Sequence, residues 1–305
     1  MAGVLIYSAK QGLALELISA ARKIGDSVTA VSINDDSLAQ ALADAGARTF
    51  KISDPNLSVA DTGAAAAAIK QVLDKENIDT VLLSSDRRGK ELAGRVAQAI
   101  GAGCLTDVTS INVDGSQIEC QRNALGGATI ATQYIEGPKV IAIRPRAYEA
   151  AGAGNGSGVE EIDVEIKATG IKVIDFKPKA GDSVNIEAAE ILVAVGQGLS
   201  EEAKLTDVQA LAAKLGGEVA CSKPVATDKK WLSEERIIGL SGKKCKPQLA
   251  LLLGISGQVQ FTVGIRDARI IAAVNTDENA AINYMADYIL QADLHDVINE
   301  LNQKL

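Results

Sequence analysis

Residues 249–261 read LALLLGISGQVQF, an apolar run that breaks at Gly254 and Gly257 and then resumes as an amphipathic segment. A parallel strand that is buried on both faces has a continuous apolar sequence, as LALLL does. We predict that the chain then turns sharply and enters a helix at the carboxyl edge of a sheet, where ligands bind in open α/β folds. The first free N–H groups of that helix would favour an anion such as phosphate. A tight turn that needs two glycines for steric reasons explains the same residues equally well.

Three other segments carry Gly, Ser or Lys at or near a predicted strand end: VGQGLS at 195–200, CSKPVATDKKW at 221–231 and IGLSGK at 238–243. Because the carboxyl ends of parallel strands meet at one edge of a sheet, we expect all four segments to converge on one ligand site. Lys223 is either a solvated charge or a group that faces the ligand. Asn275, which closes RIIAAVN, is either a turn residue or a hydrogen-bond partner for a ribose or a base edge.

Length and composition set the class of protein. A chain of 305 residues is long for one hydrophobic core, so we expect two domains. Its net charge of −8 and its few aromatic side chains disfavour binding to nucleic acid. No apolar segment approaches the roughly 20 residues that a membrane helix needs, so we expect no membrane span. The start, MAGVLIYSAK, is typical of a first buried strand and not of a signal peptide, and the expected compartment is therefore the cytoplasm.

The sequence offers little for metal or nucleophilic chemistry. The cysteines are far apart and form no C-x-x-C pair, so we predict buried or half-buried free thiols and no zinc or iron–sulfur site; they are Cys104, Cys120, Cys221 and Cys245. The single histidine, His295, lies just off the apolar stripe of the predicted terminal helix and is expected at the surface. These residues give no basis for a Ser-His-Asp or Cys-His mechanism.

The order of predicted elements indicates an α/β protein. Short β-rich runs alternate with helical patterns over the first hundred residues, which predicts βαβ units and a parallel sheet covered on both faces. Residues 104–150 are β-rich and predict an antiparallel extension, and 151–158 form a Gly-rich loop. We predict a doubly wound domain at 1–185 and a Rossmann-like parallel-sheet domain at 186–305, with helices from RIIAAVN to the end.

These motifs together resemble one known family. Residues 190–305 are similar to the flavin-binding domain of the electron transfer flavoprotein alpha subunit. The matching motifs are GISGQVQ, NTDENAAINYMADY, DLHDVINEL, IGLSGK and ACSKPVATDKKW, in the right order and at nearly the family spacing. In the first domain SSDRRGKELAGRVA, GCLTDVTSI and IRPRAYEA are similar to the family's N-terminal segments. The resemblance covers essentially the whole chain and is far more specific than a lone glycine motif.

The resemblance implies a nucleotide-hydrolase-like N-terminal domain that pairs with a beta subunit, and a C-terminal domain that binds one FAD. The heterodimer would carry electrons from acyl-CoA-type or other flavin dehydrogenases to an acceptor, and it would do no bond-making chemistry of its own. The cofactor-binding residues implied are Gln197, Ser222, Lys223, Ile238, Gly239, Leu240, Ser241, Ser256, Gly257, Gln258, Val259, Gln260, Phe261, Asn275, Asp293 and Leu294.

The same resemblance implies a role for each segment. Residues 256–261 would follow the pyrophosphate and ribityl part of FAD. Residues 238–241 would lie against the flavin, with the Ser241 hydroxyl near N5. Ser222 and Lys223 would lie at the flavin edge. The adenosine end would be held by Asn275, Asp293 and Leu294.

Three positions depart from the family pattern. Many members have arginine where this chain has Gln197 and Lys223, and histidine where it has Phe261. Lysine is a point charge without the planar fork of arginine, and phenylalanine donates no hydrogen bond. Because charge and hydrogen bonds around the flavin tune its electronics, we expect the anionic semiquinone to be less stabilised, and FAD less tightly held, than is usual for the family.

Several functions stay open at this point. The carrier is either a plain shuttle for dehydrogenases or a pathway-specific, electron-bifurcating form whose beta subunit binds a second FAD and NADH. The segment 220–243 is one residue longer than the shuttle pattern and favours the second form. A structural subunit that has lost flavin is the alternative from another class. An NAD-dependent dehydrogenase would need a G-x-G-x-x-G after the first strand, which YSAKQGLA lacks.

Overall fold

The computed structural model describes residues 3–115, 117–125, 129–156, 158–166, 169–171, 174–175 and 184–305. The chain divides into two compact units, Met1–Phe176 and Lys177–Leu305, which are called the N-terminal and C-terminal units below. Residue 157 of the predicted Gly-rich loop lies outside the described residues.

The N-terminal unit is built on a nine-stranded sheet with helices on both faces. Its strands are β1 Val4–Tyr7, β2 Val28–Ile33, β3 Arg48–Ile52, β4 Thr80–Ser84, β5 Gly103–Asp114, β6 Gln117–Ala124, β7 Thr129–Ile135, β8 Lys139–Ile143 and β9 Val159–Glu161. Its helices are α1 Gln11–Ala21, α2 Asp36–Asp44, α3 Thr62–Glu76 and α4 Arg87–Ile100. The strand order is β7-β6-β5-β8-β4-β1-β2-β3-β9. Two hydrophobic clusters, one on each face of this sheet, form the core.

Local sequence explains where these helices start and end. Asp86 caps α4 by accepting a hydrogen bond from the Gly89 N–H at 2.9 Å, and Gly101 ends the helix in the left-handed region at φ 65°. Asp61 caps α3 in the same way, by accepting from the Ala64 N–H at 3.0 Å. The predicted antiparallel extension is found only at β5–β6 and β6–β7. β8, which was included in it, is parallel to β4 and lies between β4 and β5.

The C-terminal unit is a five-stranded, wholly parallel sheet. Its strands are β10 Ile191–Val195, β11 Glu218–Cys221, β12 Leu249–Leu253, β13 Ile270–Asn275 and β14 Tyr288–Gln291, in the order β11-β10-β12-β13-β14. Its helices are α5 Leu205–Lys214, α6 Lys223–Thr227, α7 Val259–Thr262 and α8 Leu294–Lys304. The chain runs from β10 outward to β11 and then returns to β12 on the other side of β10. The edge of the sheet at β10 and β12 is therefore the topological switch point, where open α/β sheets bind ligands.

One predicted helix of the C-terminal unit is present but short, and one predicted helical stretch was wrong. The helix expected after Gly257 is a single turn, α7, because the chain turns at Gly264. The Gly264 carbonyl accepts from the Cys245 N–H at 2.7 Å instead of continuing the helix. The stretch after β13 was predicted to be helical throughout, yet it contains the edge strand β14. Its four residues are all exposed, so the strand lacks the alternation of buried and exposed residues by which a strand is identified from sequence.

No helix in the described part of the chain is both long enough and apolar enough to cross a bilayer.

Candidate functional site

Two glycine turns meet at the switch point of the C-terminal unit. The Gly196 N–H donates to the Leu253 carbonyl at 2.9 Å, and the Gly198 N–H donates to the Gly254 carbonyl at 3.1 Å. A Cβ on Gly196 would lie 2.2 Å from the Gly254 oxygen, and one on Gly198 would lie 2.7 Å from the Gly254 Cα. Backbone therefore packs directly on backbone, so the steric explanation that we gave for Gly254 holds and extends to Gly196 and Gly198.

The turn after β12 leaves main-chain donors unused. Gly257 has φ +90°, and a Cβ there would lie 2.1 Å from the Ile282 nitrogen. The Ile282 N–H donates to the Ser256 carbonyl at 3.1 Å, which fixes the turn against the following loop. Within the described residues, the N–H groups of Ser256, Gly257 and Gln258 have no hydrogen-bond acceptor. Consecutive unpaired N–H groups in a turn form a site for an anion. The donors that we predicted at a helix N-terminus therefore belong to the turn at 256–257 and to Gln258, the residue that precedes α7.

A cavity of 930 Å³ runs along the carboxyl ends of the strands. It is lined by the ends of β10, β11, β12 and β13 and by the residues that lead into α8. Neighbouring strands are about 4.8 Å apart, so the strand ends from β11 to β14 span roughly 19 Å. The volume lies near the upper end of the roughly 300–1,000 Å³ typical of small-molecule sites. The cavity thus suits an elongated ligand.

Most of the predicted site residues line this cavity: Gln197, Ser222, Lys223, Ile238, Leu240, Ser241, Ser256, Gln258, Gln260, Phe261, Asn275, Asp293 and Leu294. Gly239, Gly257 and Val259 do not. A Cβ added to Gly239 would lie 2.3 Å from the Gln260 carbonyl oxygen, so Gly239 packs on that carbonyl. Gly257 packs on Ile282 in the same way. Val259 is 63% exposed.

Sequence reasoning missed several further lining residues: Pro224, Thr227, Asp228, Ile255, Val274, Thr276, Asp277, Ala280 and Ala292. Thr276 and Asp277 directly follow β13, so the strand-end rule could have found them. Thr227 and Asp228 lie at the end of α6, a five-residue helix that the sequence does not mark.

The end of the cavity beside β11 has an apolar wall next to polar side chains. Ile238 and Phe261 are buried, and Leu240 is exposed. The Leu240 N–H donates to the Gln260 carbonyl at 2.7 Å, which holds the segment 238–241 against α7. This arrangement places an apolar wall next to the Ser241 hydroxyl, as a ring system with polar edges requires.

The opposite end is polar and its side chains are partly engaged within the protein. The Asn275 amide donates from Nδ2 to the Ile255 carbonyl at 2.9 Å, and its Oδ1 accepts from the Asp277 N–H at 3.0 Å. Asp293 caps α8 by accepting from the His295 N–H at 2.7 Å. Asn275 thus holds the turns after β12 and β13 together, whatever else it contacts.

The charge around the cavity is negative. Among the described lining residues Lys223 is the one cation, whereas the carboxylates are Asp228, Asp277 and Asp293. An anionic ligand would therefore depend on main-chain donors more than on cations. The cavity as a whole fits a flavin dinucleotide, because it combines an apolar wall, unpaired N–H groups in the middle and a polar end.

Other candidate groups lie outside this site. His295 is half-buried on α8 with its Nε2 3.1 Å from the Ser200 Oγ. Three cysteines are buried as predicted, whereas Cys104 is exposed, contrary to the prediction. Burial raises the pKa of the Cys221 thiol to about 12, so this group beneath the cavity stays neutral. No group of His, Cys, Asp or Glu among the described residues could hold a metal ion.

The corresponding crevice of the N-terminal unit, between β1 and β4, is occupied by its own side chains. The Ser8 and Ser84 hydroxyls are 3.2 Å apart and buried. The Lys10 ammonium lies 3.1 Å from the Asp86 carboxylate, which also caps α4. These groups satisfy each other, and the cavity of the C-terminal unit is the better candidate site.

Comparison with known proteins places the chain in a family. Residues 11–167 match the electron transfer flavoprotein domain, and residues 185–266 match the electron transfer flavoprotein FAD-binding domain. The chain is 32% identical over 305 residues to YdiR of Escherichia coli K12, named as an electron transfer flavoprotein subunit, with 99% of this chain and 97% of YdiR covered. FixB of Salmonella typhi is 28% identical over 305 residues at the same coverage. FixB of Shigella flexneri is 29% identical over 309 residues, also with 99% of this chain and 97% of FixB covered. The resemblance found in the motifs is confirmed, and the chain belongs to the electron transfer flavoprotein alpha family.

Proposed function

We propose that the chain is the FAD-carrying subunit of an electron transfer flavoprotein and works as a heterodimer with a beta-type subunit. The observation that carries this proposal is the cavity at the β10–β12 switch point, which is lined by Ser256 and Gln258 of the turn whose N–H groups at 256–258 are unpaired among the described residues. Most of the cavity wall lies within the segment that matches the FAD-binding domain. Bound FAD would supply reversible one- and two-electron redox chemistry.

The main chain at 256–258 would hold the FAD diphosphate. Its donors lie beside Gln197, whose amide can donate but carries no charge. Lys223 is the one cation among the described lining residues, so the diphosphate is held chiefly by neutral donors. We therefore expect weaker retention of FAD than a site with arginine at these positions would give.

The two ends of the cavity would hold the two ends of the cofactor. Ile238, Leu240 and Phe261 would exclude water from the isoalloxazine ring, and the Ser241 hydroxyl would lie near N5. Ser222 and Lys223 would face the ring edge. The adenosine would lie toward Asn275, Asp293 and Leu294, with Thr276 and Asp277 beside them.

An electron carrier is favoured over an enzyme that transforms a substrate. None of the described residues that line the cavity is a histidine or a cysteine, and the one lysine is exposed. The electron donor would be an acyl-CoA-type or other flavin dehydrogenase, and the protein would act in the cytoplasm. The electron-bifurcating form is the second candidate, because α6 and the longer segment 220–243 bring Thr227 and Asp228 into the wall.

The test is a visible absorption spectrum of the chain purified with its beta-type partner, followed by cofactor extraction and stoichiometric dithionite titration. One FAD per heterodimer would support a plain shuttle, and two would support the bifurcating form. A folded heterodimer that stays colourless after addition of excess FAD would refute the proposal and leave a structural subunit.

A further inference from the structure

Lys229 makes two contacts beside the cavity that its sequence context does not reveal. Its Nζ donates to the Leu199 carbonyl at 2.7 Å. The same ammonium lies 4.1 Å from the centroid of the Trp231 ring, within the range of a cation–π interaction. Lys230 has φ +57°, and this left-handed residue reverses the chain so that Trp231 comes under the lysine.

These contacts join two walls of the cavity. The Leu199 N–H donates to the Gly196 carbonyl at 3.2 Å, so Leu199 closes the turn whose residues 196–198 line the cavity. On the other side, the Lys229 N–H donates to the Pro224 carbonyl at 3.0 Å, at the start of α6. The Lys229 side chain therefore connects the turn after β10 to the segment after β11.

In the described part of the chain, main-chain hydrogen bonds join the turn after β10 to the segment after β11 only where the two strands end. The ladder between β10 and β11 ends where the Ser222 N–H donates to the Val195 carbonyl at 3.0 Å. Leu199 is completely buried, and its carbonyl accepts no other hydrogen bond among the described residues. Loss of the ammonium would leave this carbonyl unpaired in the interior, which is costly, and the turn would shift to reach water.

We propose that Lys229 is a positioning residue of the FAD cavity. It holds the 196–199 turn against the 222–228 segment and thereby sets where Gln197 and Lys223 lie relative to the cofactor. This inference rests on the proposed function. Because a hydrogen bond to a charged group is stronger than a neutral one, Lys229 contributes more to this arrangement than an uncharged side chain would.

The test compares three variants of the full chain in complex with its beta-type partner. Lys229→Met keeps the length of the side chain but removes the donor, Lys229→Arg keeps a cation, and Lys230→Met makes the same charge change one residue away. FAD is the titrated probe. Binding is followed by quenching of Trp231, the single tryptophan of the chain, and by the flavin spectrum and potential.

We expect Lys229→Met to weaken FAD binding about tenfold and to shift the flavin potential. Lys229→Arg should restore both, and Lys230→Met should behave as the wild type. If circular dichroism shows that Lys229→Met is unfolded, Lys229→Gln takes its place. Glutamine keeps a donor on a shorter side chain, so the expected loss of FAD affinity is smaller.

Wild-type affinity and potential in the variant that lacks the ammonium would overturn the inference while leaving the proposed function intact. Loss of affinity to the same extent in Lys230→Met would also overturn it, because net charge alone would then explain the effect. A wild-type complex that binds no FAD would overturn the inference and the proposed function together.

Discussion

Gly254→Ala tests whether the cavity depends on the close approach of its two glycine turns. Gly254 has φ +62°, and an added Cβ would lie 2.7 Å from the Leu294 Cδ2 and 2.8 Å from the Gly198 Cα. The leucine can rotate, but the Gly198 backbone cannot give way without moving the turn. Gly216 is a matched control, because its φ is +68° and an added Cβ would meet nothing within 4 Å.

The expected magnitudes follow from these contacts. Both substitutions place alanine in the left-handed region, at a cost of roughly 1–2 kcal/mol each. Gly254→Ala adds an overpacking cost of roughly 1–3 kcal/mol, so it should be the more destabilising of the two by that amount. Displacement of the 254–258 turn should also move the unpaired N–H groups, so FAD binding should weaken in Gly254→Ala and not in Gly216→Ala.

The assay is urea unfolding of the full chain, followed by the fluorescence of Trp231. Because Trp231 is the only tryptophan and lies in the C-terminal unit, its signal reports on that unit. An FAD titration of each folded variant completes the comparison. Equal free energies of unfolding and equal FAD affinities for the two variants would refute the argument from close packing.

Three further predictions concern charge and thiols. Lys223→Ala should lower the one-electron reduction potential of the flavin by roughly 30 mV, the effect of one unit charge about 6 Å away in a water-like dielectric; an unchanged potential would show that Lys223 does not face the ring. Burial raises the pKa of the Cys221 thiol from 9.0 to about 12. The unfolded thiol therefore ionises first, and the C-terminal unit should lose roughly 1 kcal/mol of stability from this group by pH 10, with further loss toward pH 12. Urea midpoints at pH 8 and pH 10 measure this loss, and Cys221→Ser should reduce it. A thiol reagent should modify one cysteine of the native chain, the exposed Cys104, and labelling that persists in Cys104→Ser would contradict the burial of the other three.

Much of the site was predictable because local sequence and strand topology point to the same edge of the sheet. The run LALLL followed by glycines identifies a buried parallel strand and the turn after it, and both are present as β12 and residues 254–257. Family motifs then indicated which side chains converge there. Thr276 and Asp277 were within reach of the same reasoning, since they directly follow β13.

Other features could not be predicted, because distant parts of the chain decide them. α7 is only one turn long, and the residue just beyond it, Gly264, accepts a hydrogen bond from the distant Cys245 N–H and packs against the Gly239 backbone. β14 is a strand through its pairing with β13, and its exposed residues show no pattern of their own. Glycine is required at position 257, with φ +90°, because an added Cβ would meet Ile282, 25 positions further along the chain, and no local pattern reveals that contact.

The sequence by itself determined the α/β class, the parallel C-terminal sheet and the family, because continuous apolar strands, glycine punctuation and ordered motifs are local properties of the chain. Only the tertiary structure decided which N–H groups stay unpaired, that Lys229 reaches the Leu199 carbonyl, and that the cavity wall carries three carboxylates against one lysine. Those properties depend on distances between residues far apart in the sequence, such as Lys229 and Leu199, 30 positions apart, and such distances are set only when the strands come together in one sheet.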